Sequence, residues 1–179
     1  MPDLILHPDD RQWAGDGRRF RFVVDCQVLA GLLNGDVPLS EDTYRPIFRR
    51  MGSCLDRLLQ RGWRPAHDCE DPVAWRGREW NRQSDFIVNQ TMDSGIAQEW
   101  SDLKLISEVK ACDILIFSDG GLRRPSMLAA SGWVAYARTD TGFRKLAYAA
   151  KPLVGVTSAF AAEAIALEMA LLFFAECVE

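Results

Sequence analysis

The chain has 179 residues, 48% of them hydrophobic, which is enough to bury one good core and marginal for two. Its 25 acids outnumber its 21 Lys and Arg, and the net charge of −4 excludes a global basic field that would draw it to nucleic acid. The 5 cysteines (Cys26, Cys54, Cys69, Cys112, Cys177) include no CxxC pair and read as reduced thiols of an intracellular protein, while isolated His7 and His67 leave no zinc site and no Ser-His-Asp triad.

Residues 1–19 hold Pro2, Pro8, Gly15, Gly17 and several Asp and read as a loose lead-in, with a short strand over Leu4–Leu6. No basic-plus-apolar signal segment opens the chain. Phe20–Asp25, rich in β-branched and aromatic residues, predicts a buried strand that ends in Asp. Gln27–Leu33 predicts a short helix stopped at Asn34-Gly35. After a loop over Val37–Asp42, with Ser40 or Thr43 as N-cap, a long helix is predicted from about Tyr44 to Arg61. Its core stripe is Phe48, Met51, Leu55, Leu58 and Leu59, and Gly62 ends it. Arg64–Asp71 reads as polar loop, Pro72–Arg76 as a short strand and Gly77–Gln83 as an irregular turn. Ser84 to about Met92 predicts a helix with a stripe at Val88, Met92 and Ile96. Ser94–Ala111 follows no period and reads as a helix extension or a linker.

Ile114–Asp119 predicts a second buried strand ending in Asp, with Gly120–Ala130 as loop. Gly132–Arg138 and Lys145–Ala150 predict two strands joined at Asp140-Thr141-Gly142, a hairpin signal. Ser158–Val178 predicts a C-terminal helix with a stripe at Phe160, Leu167, Leu171 and Phe174. Its length and apolar character suit a membrane span, but Glu163, Glu168 and Glu176 inside it would be expensive in lipid.

Four carboxylates stand out against this frame. Ligands of open α/β sheets bind outside the carboxyl ends of strands, where Asp25 and Asp119 are expected. Two acids there repel unless a proton or a cation lies between them. Glu163, three after Phe160 and four before Leu167, shares the buried helix face, whereas Glu168 points away and reads as solvated. Asp85 falls in a first helical turn, where the macrodipole alone would favour an acid. The arginines cluster at 18–21, 45–64 and 76–82. They suit phosphate recognition or, equally, a salt-bridged helix surface. No GxxxxGK[ST] and no GxGxxG after a strand supports a nucleotide-binding loop.

The segments 117–121 (FSDGG) and 157–167 (TSAFAAEAIAL), with a hairpin between them, resemble the front half of a type 1 ribonuclease H domain. That half carries a TDG-like Asp on its first strand and an AExxAL-like Glu on a helix. Residues 24–29 (VDCQVL) resemble the same family's fourth strand and its TDSQ-like motif, and 75–85 (WRGREWNRQSD) its closing motif, Asn81 followed by Asp85. The REWN form is closest to plant-like and retroelement members. The halves stand in exchanged order, as in a circular permutation. The resemblance implies an α/β domain over 20–179, with a ribonuclease H-like mixed five-stranded sheet flanked by helices. Residues 20–93 would be the family's back half, 94–112 a joining segment and 113–179 the front half. A slice through a tandem array would read the same, and two such chains could exchange halves as a dimer. Trp75 or Arg78 stands where the family often has a His, Gly121 where it has Ser or Ala, and Cys26 where it has Ser.

The resemblance further implies a metal-dependent endonuclease cutting the RNA strand of RNA–DNA hybrids. Asp119, Glu163, Asp25 and Asp85 would be the catalytic and metal-binding residues. An all-oxygen set suits two Mg²⁺ or Mn²⁺ ions. Asp119 would bridge the ions, Glu163 and Asp25 would hold the one nearer the leaving group, and Asp85 the one nearer the attacking water. Arg45, Arg49, Arg57, Arg61, Arg78 and Asn81 would bind the nucleic acid. The alternative is an inactive ribonuclease H-like binding module that keeps the acids as relics. Metal binding separates the two readings.

Overall fold

The computed structural model describes residues 1–11, 13, 17–67 and 71–178. Cys69 therefore lies outside the described residues, and the other four cysteines are free. The architecture is α/β: a mixed sheet of seven strands flanked by helices. The strands are β1 (Arg19–Val24), β2 (Arg64–Pro65), β3 (Val73–Trp75), β4 (Gln98–Ser101), β5 (Ile114–Arg123), β6 (Leu128–Thr139) and β7 (Gly142–Leu153). They run in the order β2-β1-β5-β6-β7-β4. β2 and β3 both pair with β1, at successive stretches of its length, and act as one interrupted edge strand. Pairing is parallel from β2 and β3 through β1 to β5, and antiparallel from β5 through β6 and β7 to β4.

β1 and β5 are adjacent, parallel and central, as their largely apolar runs lead one to expect. All six residues of β1 are buried, as are the first seven of β5. The segments before and after residue 100 thus share one sheet within one chain. Among the described residues five α-helices complete the fold: α1 (Gln27–Asn34), α2 (Arg45–Gln60), α3 (Arg82–Ser94), α4 (Leu103–Glu108) and α5 (Ala159–Cys177). α1, α2, α4 and α5 contribute to the core on one face of the sheet, and α3 covers the other. None of the described helices is long and apolar enough to cross a membrane.

α5 lies closest to the sheet. It is apolar nearly all round and buries Ala162, Ala164, Ala166, Leu167, Ala170, Leu171 and Phe174. The row of alanines lets its backbone descend onto β5. A Cβ built on Gly120 would stand 2.1 Å from the Ala162 carbonyl carbon and 2.2 Å from the Glu163 nitrogen, so no side chain fits there. Ser131 Oγ on β6 donates to the Ala162 carbonyl at 2.6 Å and fastens the same turn. On the opposite face, a Cβ at Gly121 would meet Met92 of α3 at 2.7 Å. Successive residues of one strand thus admit a helix on each side.

Several expectations need correction. The sheet has seven strands rather than five, because Arg64–Pro65 pairs with β1 and Gln98–Ser101 adds an edge to β7. The joining segment is ordered into β4, α4 and a 3₁₀ turn at Val109–Ala111, with Asp102 capping α4 through the Leu105 amide. Gly120–Ala130 is mostly strand, since the β5–β6 ladder continues to Arg123↔Leu128. α3 stops at Gly95 in the left-handed conformation, which leaves Ile96 68% exposed outside the helix. Leu59 is also exposed.

Leu4–Leu6 forms no strand, and described residues of the lead-in pack against the domain. Leu4, Leu6 and Trp13 pack on the face beside α3, and Gln83 donates to the Asp3 carbonyl at 2.6 Å. Buried Asp10 pairs with Arg21 from the middle of β1 and with Arg76 at 3.2 Å. A buried arginine on a central strand is costly unless paired, and this arm supplies the acid.

Gly120→Ala should destabilise the fold by at least about 2 kcal/mol, because backbone rather than a flexible side chain occupies the space. Gly52→Ala, in the middle of α2 with nothing within 4 Å, should instead gain about 0.5–1 kcal/mol. Urea denaturation of both variants checks the pair, and equal responses would refute the close-packing argument.

Candidate metal centre

The β1–β5 register runs from Phe20↔Ile114 to Val23↔Phe117. Asp25 and Asp119 each stand two residues beyond the last pair, so the parallel ladder delivers both to one place. Asp119 is not a strand end: β5 continues to Arg123 along β6, with Asp119 opposite Gly132. It does lie past the end of pairing with β1, which opens room beside it. Glu163 arrives from the first turns of α5. Ser158 caps that helix by accepting from the Ala161 amide at 3.0 Å, and Tyr44 holds Ser158 at 3.1 Å while its ring meets Phe160 edge-on.

The result is a trio. Asp25, Asp119 and Glu163 each present a carboxylate oxygen, and these oxygens lie within 4.8 Å of one another. Asp119 is buried, at 4% exposure. Glu163 Oε2 is sealed from solvent with no hydrogen-bond partner. Burial, first, and the neighbouring carboxylates, second, push Asp119 and Glu163 far above the ordinary carboxylate range. The hydrogen bond between them raises Glu163 and lowers Asp119, so the shared proton rests on Glu163. Three close acids, one with an orphaned buried oxygen, can hold a metal ion in place of that proton.

Asp85 does not join the trio. It is half-buried in the first turn of α3, and its charge reaches Asp119 only as a repulsion that raises it further. Asn81, expected as a nucleic-acid contact, is wholly buried. Its Nδ2 donates to the Ser118 carbonyl at 2.9 Å, and Ser84 Oγ donates to its Oδ1 at 2.7 Å. Asn81 therefore ties the start of α3 to β5 beside Asp119.

Arg78 is 80% exposed with Nε 3.6 Å from Asp25 Oδ2, and its charge lowers Asp119 against the trend. Of the α2 arginines, Arg45 pairs with Asp42 and Arg49 is exposed. Arg57 is half-buried with Nη2 3.7 Å from Cys54 Sγ, and Arg61 donates to the Val178 carbonyl at 3.3 Å. Arg61 thus ties the end of α2 to the end of α5, while Arg57 lies along α2. Glu168 is likewise not solvated: Arg50 grips it across the same interface at 2.5 and 3.3 Å. Gly120 and Ser131 were not singled out beforehand. A Gly after an Asp within a strand-period run is the signal that a backbone comes close.

The raised acids couple the site to stability. Their folded pKa values lie above the unfolded ones, so the native state binds more protons. Their contribution is fully present below the unfolded carboxylate value and is lost as pH rises through the folded values. Metal-free Glu163→Gln should therefore gain in melting temperature relative to the wild type between about pH 5 and about pH 8. Added divalent cation should stabilise the wild type more at the higher pH, because it replaces protons. Calorimetry with and without cation measures both, and a variant difference that does not change with pH would count against the protonated trio.

Compared with models of known protein families and with characterised proteins, the chain matches none, so the functional reading rests on this geometry.

Proposed function

We propose that the chain is a metal-dependent endonuclease that hydrolyses the RNA strand of RNA–DNA hybrids, in a ribonuclease H-like fold whose halves are circularly permuted. One observation carries the reading: two Asp residues from strands far apart in sequence, and a Glu from α5, converge beyond the end of a parallel ladder. The motif resemblance assigns the same three acids to one site without reference to their positions in space. The order of pairing supports permutation, since β1, from the first half, inserts directly beside β5, from the second.

Asp119, Asp25 and Glu163 would hold the metal, and their hard oxygen atoms favour Mg²⁺ or Mn²⁺ over softer ions. Bound ions of this kind activate water and stabilise the leaving 3′ oxygen of a phosphodiester, and a two-ion site would draw on Asp85 as well. The chain itself supplies the rest. Asp119 is buried, and Asn81 fixes the strand that carries it. Arg78 offers a permanent positive charge beside an otherwise repulsive acidic cluster. The 2′-hydroxyl is the group by which a protein selects the RNA strand.

The second reading is an inactive binding module, favoured by Asp85 standing outside the trio and by Arg78 already neutralising Asp25. Purified protein incubated with hybrid, duplex RNA and duplex DNA, in Mg²⁺ and in Mn²⁺, separates the two. Cleavage of the hybrid alone is expected. Asp119→Asn should abolish it without loss of stability, because removing one crowded acid relieves repulsion. Arg78→Ala should cost less than Asp119→Asn. A folded protein that cuts none of the three substrates, with no cation-dependent stabilisation, would establish the inactive module.

A further inference from the structure

Beside the trio lies a cleft of about 390 Å³, lined by Asp25 and Glu163 together with Trp75, Gly77, Arg78 and Phe160. Packing does not account for two of these residues. Trp75 is the last residue of β3 and is 48% exposed, although a buried indole would stabilise the fold far more. Val73, two residues earlier, is buried in the core beneath α1 and α5. By strand alternation Trp75 stands on that same face, the one from which Glu163 descends. It is also paired with Val24, the residue before Asp25. Its backbone is well held. The Arg76 amide donates to the Val24 carbonyl at 2.9 Å, and the Arg76 side chain is anchored on the opposite face by Asp10. The indole is thus presented by a braced strand.

Arg78 stands three residues on, exposed, with Nε 3.6 Å from Asp25 Oδ2. A guanidinium keeps its charge at any working pH and matches phosphate oxygens with paired donors. A planar apolar ring and a permanent cation, side by side at an acidic cleft, complement a single nucleotide: a base to stack and a phosphate to pair.

We infer that Trp75 and Arg78 form the grip on the substrate strand at this site. Trp75 stacks on a base of a nucleotide next to the scissile phosphodiester. Arg78 leaves Asp25 and pairs with a phosphate once a cation has taken the charge of the trio. This inference rests on the nuclease reading and specifies which residues position its substrate. Both act by binding, so they are positioning residues.

The test uses a fluorescently labelled RNA–DNA hybrid and the full chain. In an Asp119→Asn background, which holds cleavage off, added Trp75→Ala should weaken hybrid binding about tenfold. Trp75→Phe should restore most of the affinity, and Trp75→Leu, apolar but without a ring system, should not. Arg78→Ala should flatten the salt dependence of log Kd by about one. With Asp119 intact, Trp75→Ala should raise KM for the hybrid and leave kcat nearly unchanged. Equal affinity and KM in Trp75→Ala and wild type, with the hybrid still cut, would overturn the grip and leave the nuclease standing. Trp75→Leu binding as tightly as Trp75→Phe would show an apolar patch for a protein partner and also overturn it. A wild type that neither binds nor cuts the hybrid removes both readings together.

Discussion

The backbone of α5 rests on the backbone of β5 at Gly120, and the site depends on that contact. Backbone-to-backbone approach leaves no side chain to adjust, so the helix cannot settle at another height without losing the contact. The turn in contact is Ala162–Glu163, and the residue preceding Gly120 is Asp119. One steric constraint therefore sets the spacing of two of the three acids. Ser131, reaching from the next strand to the Ala162 carbonyl, sets the rotation of the helix as well as its height.

The electrostatics follow from this geometry. Fixed spacing brings carboxylates together where water is scarce, and they cannot all ionise. The fold is held together by α5 packing and the parallel ladder, and it tolerates the acids through a shared proton, the Arg78 charge or a metal ion. The buried ion network of Asp10, Arg21 and Arg76 is a contrasting solution on the other face, where charges of opposite sign satisfy one another. The two clusters sit on opposite sides of β1 and β3. Each retains a buried oxygen without a hydrogen-bond partner, Asp10 Oδ2 in one and Glu163 Oε2 in the other.

Much of this was legible in the chain itself. Largely apolar runs identify β1 and β5 because buried parallel strands need no alternation, and the phase of Glu163 against Leu167 and Leu171 places it inward. The edge strands were harder. Arg64–Pro65 has two residues and no pattern, and Gln98–Ser101 is polar because one edge faces water. The extension of β5 through Gly120-Gly121 reads as a loop by composition, since glycines punctuate turns more often than they admit helices. Glu168 and Arg61 were misjudged for one reason. Periodicity tells which face of a helix is buried, but not that α2 would lie alongside α5 and turn its charged flank into an interface. Asn81 shows a further limit: a polar residue within a motif looks like a ligand contact until its burial is known.

The parallel pairing of β1 with β5 joins strands 94 residues apart in the chain. During synthesis from the N-terminus, β1, α1, α2 and α3 leave the ribosome long before the strand that covers the inner edge of β1. All six residues of β1 are buried in the finished fold, so the growing chain carries an apolar strand with one edge unpaired for most of its elongation. Loop closure over that distance must be met before the ladder returns any stabilisation, which slows folding and lengthens exposure. A nascent chain of this design meets its hazard early, from edge-to-edge association with other unfinished copies or capture by chaperones. Truncation before β5 would leave β1 with its inner edge unpaired.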